Sequence, residues 1–220
     1  MLVLALDSAT PASTAALVEV TADGLVGIAE RRTVDPRAHG EKLAPEIAAT
    51  LTEAGVRPAD LAAIVAGTGP GPFTGLRVGL ATAASMGHAL GIPTYGVCSL
   101  DGLGRAAGPG RVLVATDARR REIYFATYAD GLRETGPDVD KPAAVAARVD
   151  VDRAVGEGAL KYADLFGVPV EAHLLYPPAA ALVALAAQRI RKAAPSEPLT
   201  PLYLRRPDAV EPTGRKAVLT

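Results

Sequence analysis

Five apolar residues in a row, Leu2 to Leu6, open the chain after Met1, and Asp7 stops them. A continuous run of this kind reads as a strand buried on both faces. A turn at "DSATPAS" leads to "TAALVEV" and then "GLVGIAERR", two further strand patterns separated by turn signals at Pro11 and Gly24. Together they predict a meander. Leu43, Ile47 and Leu51 then recur at i, i+4 and i+8, which predicts a helix over 41–54 ended by Gly55. Pro45 falls inside it, so this helix either starts late or bends there. "LAAIVAG" is a buried strand pattern, and "GTGPGPFTGLRVG" (67–79) follows it. A helix over 76–90 ended by Gly91, a short strand in "IPTYGV", and a short helix capped by Ser99 complete the first half.

At residue 111 the pattern restarts with "RVLVATDARRREIYFATY". Laying "VLALD" over "LVATD" puts Asp7 over Asp117, an offset of 110 residues in a chain of 220. A hairpin that recurs once at half length predicts two similar lobes. The boundaries expected are 1–110 for the N-terminal lobe and 111–206 for a smaller, strand-poor C-terminal lobe. The latter carries helices over 141–148, 158–166 and 178–193, and a Pro- and charge-rich tail over 207–220 follows.

The glycine-rich loop lies between a strand and a helix, the setting for anion binding at a helix N-terminus. Its residues fit neither phosphate fingerprint. No lysine stands at the helix start, and from Gly67 or Gly69 the third glycine of G-x-G-x-x-G falls on Pro72 or Thr74. Pro70 and Pro72 also remove two amide donors. A tight structural turn is the stronger reading, with phosphate binding second. The helix that follows carries a second use of small residues. Gly79, Ala83 and Gly87 recur every fourth position and make a smooth stripe. That stripe suits either packing on the chain's own sheet or a partner helix.

Composition removes several classes. Lys plus Arg is 23 and Asp plus Glu is 24, a net charge of −1, so no global basic field marks a nucleic-acid binder. The single cysteine, Cys98, rules out an internal disulfide and a multi-thiolate metal site, and points to a reducing compartment. No signal peptide or transmembrane pattern occurs, so a cytoplasmic location is expected. His39, His88 and His173 form no H-E-x-x-H pair, and no G-x-S-x-G frames a serine. Arg119–Arg121 reads as a solvated turn, with tRNA phosphate as a weaker reading.

The segments "LALDSAT", "HGEKLAPEI", "GTGPGPFTGLRVGLATAASMGHAL", "GVCSLDGL", "ATDARRREIYFATY" and "PLYLR" occur in order, and over about Leu2–Arg205 the chain resembles the TsaB (YeaZ) family. Members usually have Ser where Pro72 stands. The resemblance implies an α/β fold of the actin-like type (ASKHA, ribonuclease H-like). That is a duplicated two-lobe fold with central mixed sheets and flanking helices. It implies a subunit without catalytic or metal-ligating residues of its own. Such a subunit binds and activates the TsaD transferase, which forms threonylcarbamoyladenosine beside the anticodon of tRNA. TsaE, an ATPase, joins the complex; the subunit also self-associates as a homodimer, and tRNA is reached through the complex. The alternative is an independent ATP-dependent carbamoyl-type transferase or kinase.

The partner surface expected is the N-lobe helix pair: His39, Glu41, Leu43, Pro45 and Ile47 on one helix, and Leu76, Arg77, Leu80, Ala83 and Gly87 on the other. Paired strand–Asp–turn–strand units are the layout that brackets nucleotide and metal in actin-like ATPases. Here the turns "DSAT" and "DARRRE" lack glycine, so Asp7, Ser8 and Asp117 mark a vestigial nucleotide and magnesium site. No tightly held cofactor is expected; ATP or ADP with Mg²⁺ binds weakly or only at a shared interface.

Overall fold

The computed structural model describes residues 1–205; the predicted tail over 207–220 lies outside the described residues. The chain forms, in order, β1 (Leu2–Asp7), β2 (Ala12–Val20), β3 (Leu25–Val34), α1 (His39–Glu53), β4 (Leu61–Gly67), α2 (Phe73–Leu90), β5 (Thr94–Val97) and α3 (Ser99–Ala107). It then forms β6 (Arg111–Asp117), β7 (Ile123–Ala129), β8 (Leu132–Asp140), α4 (Pro142–Ala146), β9 (Arg153–Val155), α5 (Glu157–Lys161), α6 (Ala163–Phe166) and α7 (Ala179–Arg191).

Two sheets carry the fold, with strand orders β3-β2-β1-β4-β5 and β8-β7-β6-β9. Each is a meander whose first strand also pairs in parallel with a later one: β1 with β4, and β6 with β9. The half-length repeat is thus a duplication of topology, and the architecture is the actin-like one. Alternation along β1 sets the layers of the first sheet. Val3 and Ala5 face α7, packing with Leu182, Val183, Ala186 and Ile190. Leu4 and Leu6 face the other way, packing with Leu43 and Ile47 of α1 and Leu76, Leu80 and Ala83 of α2. In the second sheet Val112 and Val114 meet Leu100 and Leu103 of α3, while Leu113 and Ala115 meet Val145 and Ala159. Helix α7, counted with the second lobe from its place in the chain, covers the first sheet and also packs on α3.

Several local expectations change. Helix α1 starts at His39 and runs through Pro45 to Glu53. Pro45 lies on the exposed face, so the Glu41 carbonyl it deprives of a donor can be served by water. Ser99 is the first residue of α3 and Cys98 its cap position, so Ser99 does not cap that helix. The predicted helix over 158–166 is two short ones that meet at Tyr162. Strand β8, "LRETGPDVD", was not expected from its polar, Gly-Pro sequence; it survives as an exposed edge strand, where only one side of the ladder must be paired. No helix among the described residues is long and apolar enough to cross a membrane.

Candidate functional site

A cleft of about 740 Å³ opens where the two sheets' turns face each other. The β1–β2 turn supplies Thr10 and Pro11, the approach to α1 supplies Arg37 and His39, and the glycine loop with the start of α2 supplies residues 71–75. The β6–β7 turn contributes Asp117, Arg119 and Arg120 from the far side. The last described residues close one end as a strap. The Leu202 amide donates to Thr68 O at 2.8 Å. Arg77 Nε donates to the Tyr203 hydroxyl at 2.7 Å, and its guanidinium lies 3.6 Å over Phe73, whose ring stacks on Tyr203. Arg205 donates to Ala118 O at 2.7 Å and pairs with Glu122.

Asp7 and Ser8 lie beneath this cleft and face inward, at 2% and 1% exposure. Asp7 Oδ2 accepts from Ser99 Oγ at 2.6 Å and Oδ1 from the Ala9 amide at 3.1 Å; Ser99 Oγ accepts in turn from the Gly69 amide at 3.2 Å. Desolvation outweighs these bonds and pushes the Asp7 carboxyl up to about 6. A Cβ on Gly67 would stand 1.8 Å from Asp7 Oδ2, so glycine there is required by the carboxylate. Ser8 does something different. Its Oγ donates to Gly75 O at 2.7 Å and accepts from the Gly79 amide at 3.0 Å, so a side chain is spliced into the backbone ladder of α2. A Cβ on Gly79 would fall 2.5 Å from that oxygen.

These contacts bear on the expected nucleotide and magnesium site, and the residues do not fit it. The two side chains that would order a metal and its water are spent on internal bonds, away from the cleft. Asp117 alone of the three reaches the cleft, and Lys161 holds it at 3.1 Å. Its amide donates to Glu157 Oε1 at 2.9 Å, and burial pushes that carboxyl up to about 7. No group of three metal-ligating side chains occurs among the described residues.

The predicted partner surface is corrected for most of its members. Leu43, Ile47, Leu76, Leu80 and Ala83 are 6% exposed or less and form the core between the helices and the first sheet. His39 is 8% exposed, and Gly87 is buried against Thr94. The small-residue stripe of α2 therefore packs on the chain's own sheet, the alternative its spacing equally allowed. Glu41, Pro45 and Arg77 remain exposed.

Nucleophiles are scarce. Burial pushes the Cys98 thiol up to about 11, far from a thiolate at neutral pH. Ser13 Oγ lies 2.7 Å from His39 Nδ1, a serine–histidine pair that the sequence reading missed because 26 residues separate them. Ser13 is 1% exposed, so no substrate carbonyl can reach it. Desolvation lowers the His39 pKa, against the charge of Asp35 and with that of Arg119. His88 and His173 are exposed.

Comparison with known proteins follows the same lines. Residues 33–202 match the family model for TsaD, described as tRNA N6-adenosine threonylcarbamoyltransferase. An uncharacterized protein of Mycobacterium tuberculosis is 53% identical over 209 residues, 94% of this chain and 93% of its own length. The tRNA threonylcarbamoyladenosine biosynthesis protein TsaB of Escherichia coli is 37% identical over 132 residues, 58% of this chain and 55% of that protein. The solved structure of YeaZ from Pseudomonas aeruginosa superposes with a TM-score of 0.76 at 30% identity, covering 92% of this chain and 99% of that one. With the duplicated sheets and the glycine loop, these likenesses place the chain in the TsaB (YeaZ) family.

Proposed function

We propose that this chain is a non-catalytic subunit that binds and activates a TsaD-type transferase in the formation of threonylcarbamoyladenosine on tRNA. The observation that carries this reading is the internal use of Asp7 and Ser8. In a relative of a transferase family, the groups that would handle metal and nucleotide instead hold α2, α3 and the glycine loop together. A fold kept while its chemistry is consumed in packing suits a partner protein. The TsaE-type ATPase joins the same assembly, tRNA is reached through it, and ATP or ADP binds only where subunits meet. Substrate tRNA makes the cytoplasm its working compartment.

The surface offered to the partner is the outer face of the α1–α2 pair. Exposed Arg77, Ala81, Ala84, Ser85 and His88 share one face of α2, and exposed Glu41, Ala44, Pro45 and Ala48 share one face of α1. Small side chains dominate both, so a partner helix can approach closely. Self-association uses the same face and competes with the transferase. The test is Ala84→Arg, a substitution at an exposed position. Co-purification with TsaD should weaken at least about tenfold while the free chain keeps its melting temperature. Omitting the chain from a mixture of TsaD, TsaE, ATP, threonylcarbamoyl-adenylate and tRNA should abolish modification. Full complex formation by the arginine variant would remove this face from the interface, and modification without the chain would remove the role.

A further inference from the structure

The outer edge of the first sheet is open. Strand β3 ends the order β3-β2-β1-β4-β5, so along one side its amides and carbonyls meet no other strand among the described residues. Such an edge is a template for pairing, and folds normally shield it by shortness, proline or a bulge. The other edges here follow that rule. β5 has four residues and β9 three, while β8 carries Pro137 and two breaks in its register. β3 has ten residues and no proline. Its one irregularity lies towards the hairpin end, between the pairs Leu17–Ala29 and Val18–Gly27, which leaves residues 29–34 in regular register.

The side chains along this edge carry a self-complementary pattern. Glu30 pairs with Ala16 and Arg32 with Thr14 across the ladder, and Ala16 packs with α7, so both charges lie on the face turned towards α7. Alternation adds Ile28 and Val34 to the same face. All four are exposed, Ile28 at 40% and Val34 at 52%. Along the strand they run apolar, acidic, basic, apolar. An antiparallel copy presents apolar, basic, acidic, apolar, so each apolar residue meets an apolar one and each charge its opposite. Beside Ile28 a groove of about 260 Å³ lies between this face and Ala180 of α7.

We infer that β3 is a docking edge for a second copy of this chain, which joins two five-stranded sheets into one of ten strands about a twofold axis at Arg31. In this register Val34 of each copy meets Ile28 of the other beside the groove, and Glu30 of each meets Arg32 of the other. Glu30 and Arg32 already pair within one chain at 2.5 Å, so the dimer holds an alternating ring of four charges. Arg32 is held in place for this by Thr14 Oγ1, which accepts from its Nε at 3.3 Å, and by the Tyr176 ring. On the opposite face Ala29 meets Thr33. Arg31 meets Arg31, a like-charge contact relieved because Glu53 holds each guanidinium at 2.8 Å. Helix α2 packs on β1, β4 and β5, beyond β2 from this edge. The contact is therefore distinct from the outer face of α2, and two copies joined through β3 keep both of those faces open to other partners.

The test uses the full chain carrying Ala84→Arg, which disables the helix face, so it stands or falls apart from the self-association assigned there. Sedimentation equilibrium should show a reversible dimer. Glu30→Arg and Arg32→Glu should each weaken it at least about tenfold, because the twofold axis repeats every substitution in two contacts. Combining the two restores complementarity and should return the dimer to within about threefold of its parent. Val34→Lys should weaken it as well. Melting temperatures are measured alongside. If Arg32→Glu loses the fold with its bond to Thr14, Glu30→Arg and Val34→Lys, both at exposed positions, carry the test. The proposal is overturned if the chain stays monomeric at every concentration, the result expected were a strand of another protein the true occupant. It is overturned equally if the dimer tolerates Glu30→Arg and Val34→Lys, or if a folded double variant remains as weak as the single ones.

Discussion

Asp7 gives the sharpest quantitative prediction. It is a carboxyl with 2% exposure, raised from 3.8 to about 6 chiefly by desolvation, against hydrogen bonds from Ser99 and Ala9 that favour the charged form. The folded state therefore holds this proton more tightly than the unfolded chain does. Stability from this group is fully present below pH 4 and is lost as pH rises through about 6. A shift of roughly two units at 1.36 kcal/mol each corresponds to about 3 kcal/mol between pH 4 and pH 7. Glu157, pushed up to about 7 by burial, acts in the same direction over an overlapping window, so the wild-type curve alone does not isolate Asp7. Asp7→Asn does. Asparagine keeps an acceptor for the Ala9 amide and sets an amide against Ser99 Oγ, a change that does not vary with pH. The assay is urea unfolding of both proteins at pH 4, 5, 6, 7 and 8. The stability of wild type minus that of the variant should fall by about 3 kcal/mol from pH 4 to pH 7, a change of about 1 M in the midpoint difference at a typical slope. A difference that stays flat across that range would refute the claim that a desolvated, ionisable Asp7 lies at the base of the cleft.

Two further substitutions test the packing. Gly79→Ala places a methyl 2.5 Å from Ser8 Oγ and should cost about 1–3 kcal/mol despite the better helix propensity of alanine. In a Ser8→Ala background the same change should be neutral or stabilising, and urea unfolding of the four proteins measures the coupling; additive effects would mean the hydroxyl is not in the ladder. Ala83→Arg buries an uncompensated cation at a position with 0% exposure, so circular dichroism should show an unfolded or severely destabilised chain. A variant with native melting would show that the stripe of α2 faces outward after all.

Much of the architecture was legible because the signals were local. Strands β1, β4 and β6 are apolar runs buried on both faces, so each could be read without knowing its neighbours. The superposition of Asp7 on Asp117 located the duplication from five residues in each half. Strand β8 was illegible: an exposed edge strand is held by its ladder to β7, and nothing in its own polarity reports that pairing. The break at Tyr162 was hidden as well, since apolar spacing continues across it while the backbone turns. At the site the chemistry-bearing residues were named correctly as types and misjudged in direction. Asp7 and Ser8 were recognised, but their partners Ser99, Gly75 and Gly79 lie 67 to 92 residues away.

By itself the sequence determined the succession of strands and helices, their repetition at half length, and the family to which the motifs belong. Each of these is written in periodicity or in contiguous residues. Tertiary structure alone decided what the small residues of α2 are for. A smooth helix stripe is demanded equally by a sheet packed beneath it and by a partner helix laid upon it, and spacing carries no sign to separate the two. Here β1, β4 and the Ser8 turn occupy that side, so Gly79 and Ala83 point inward and the opposite face of the helix meets solvent.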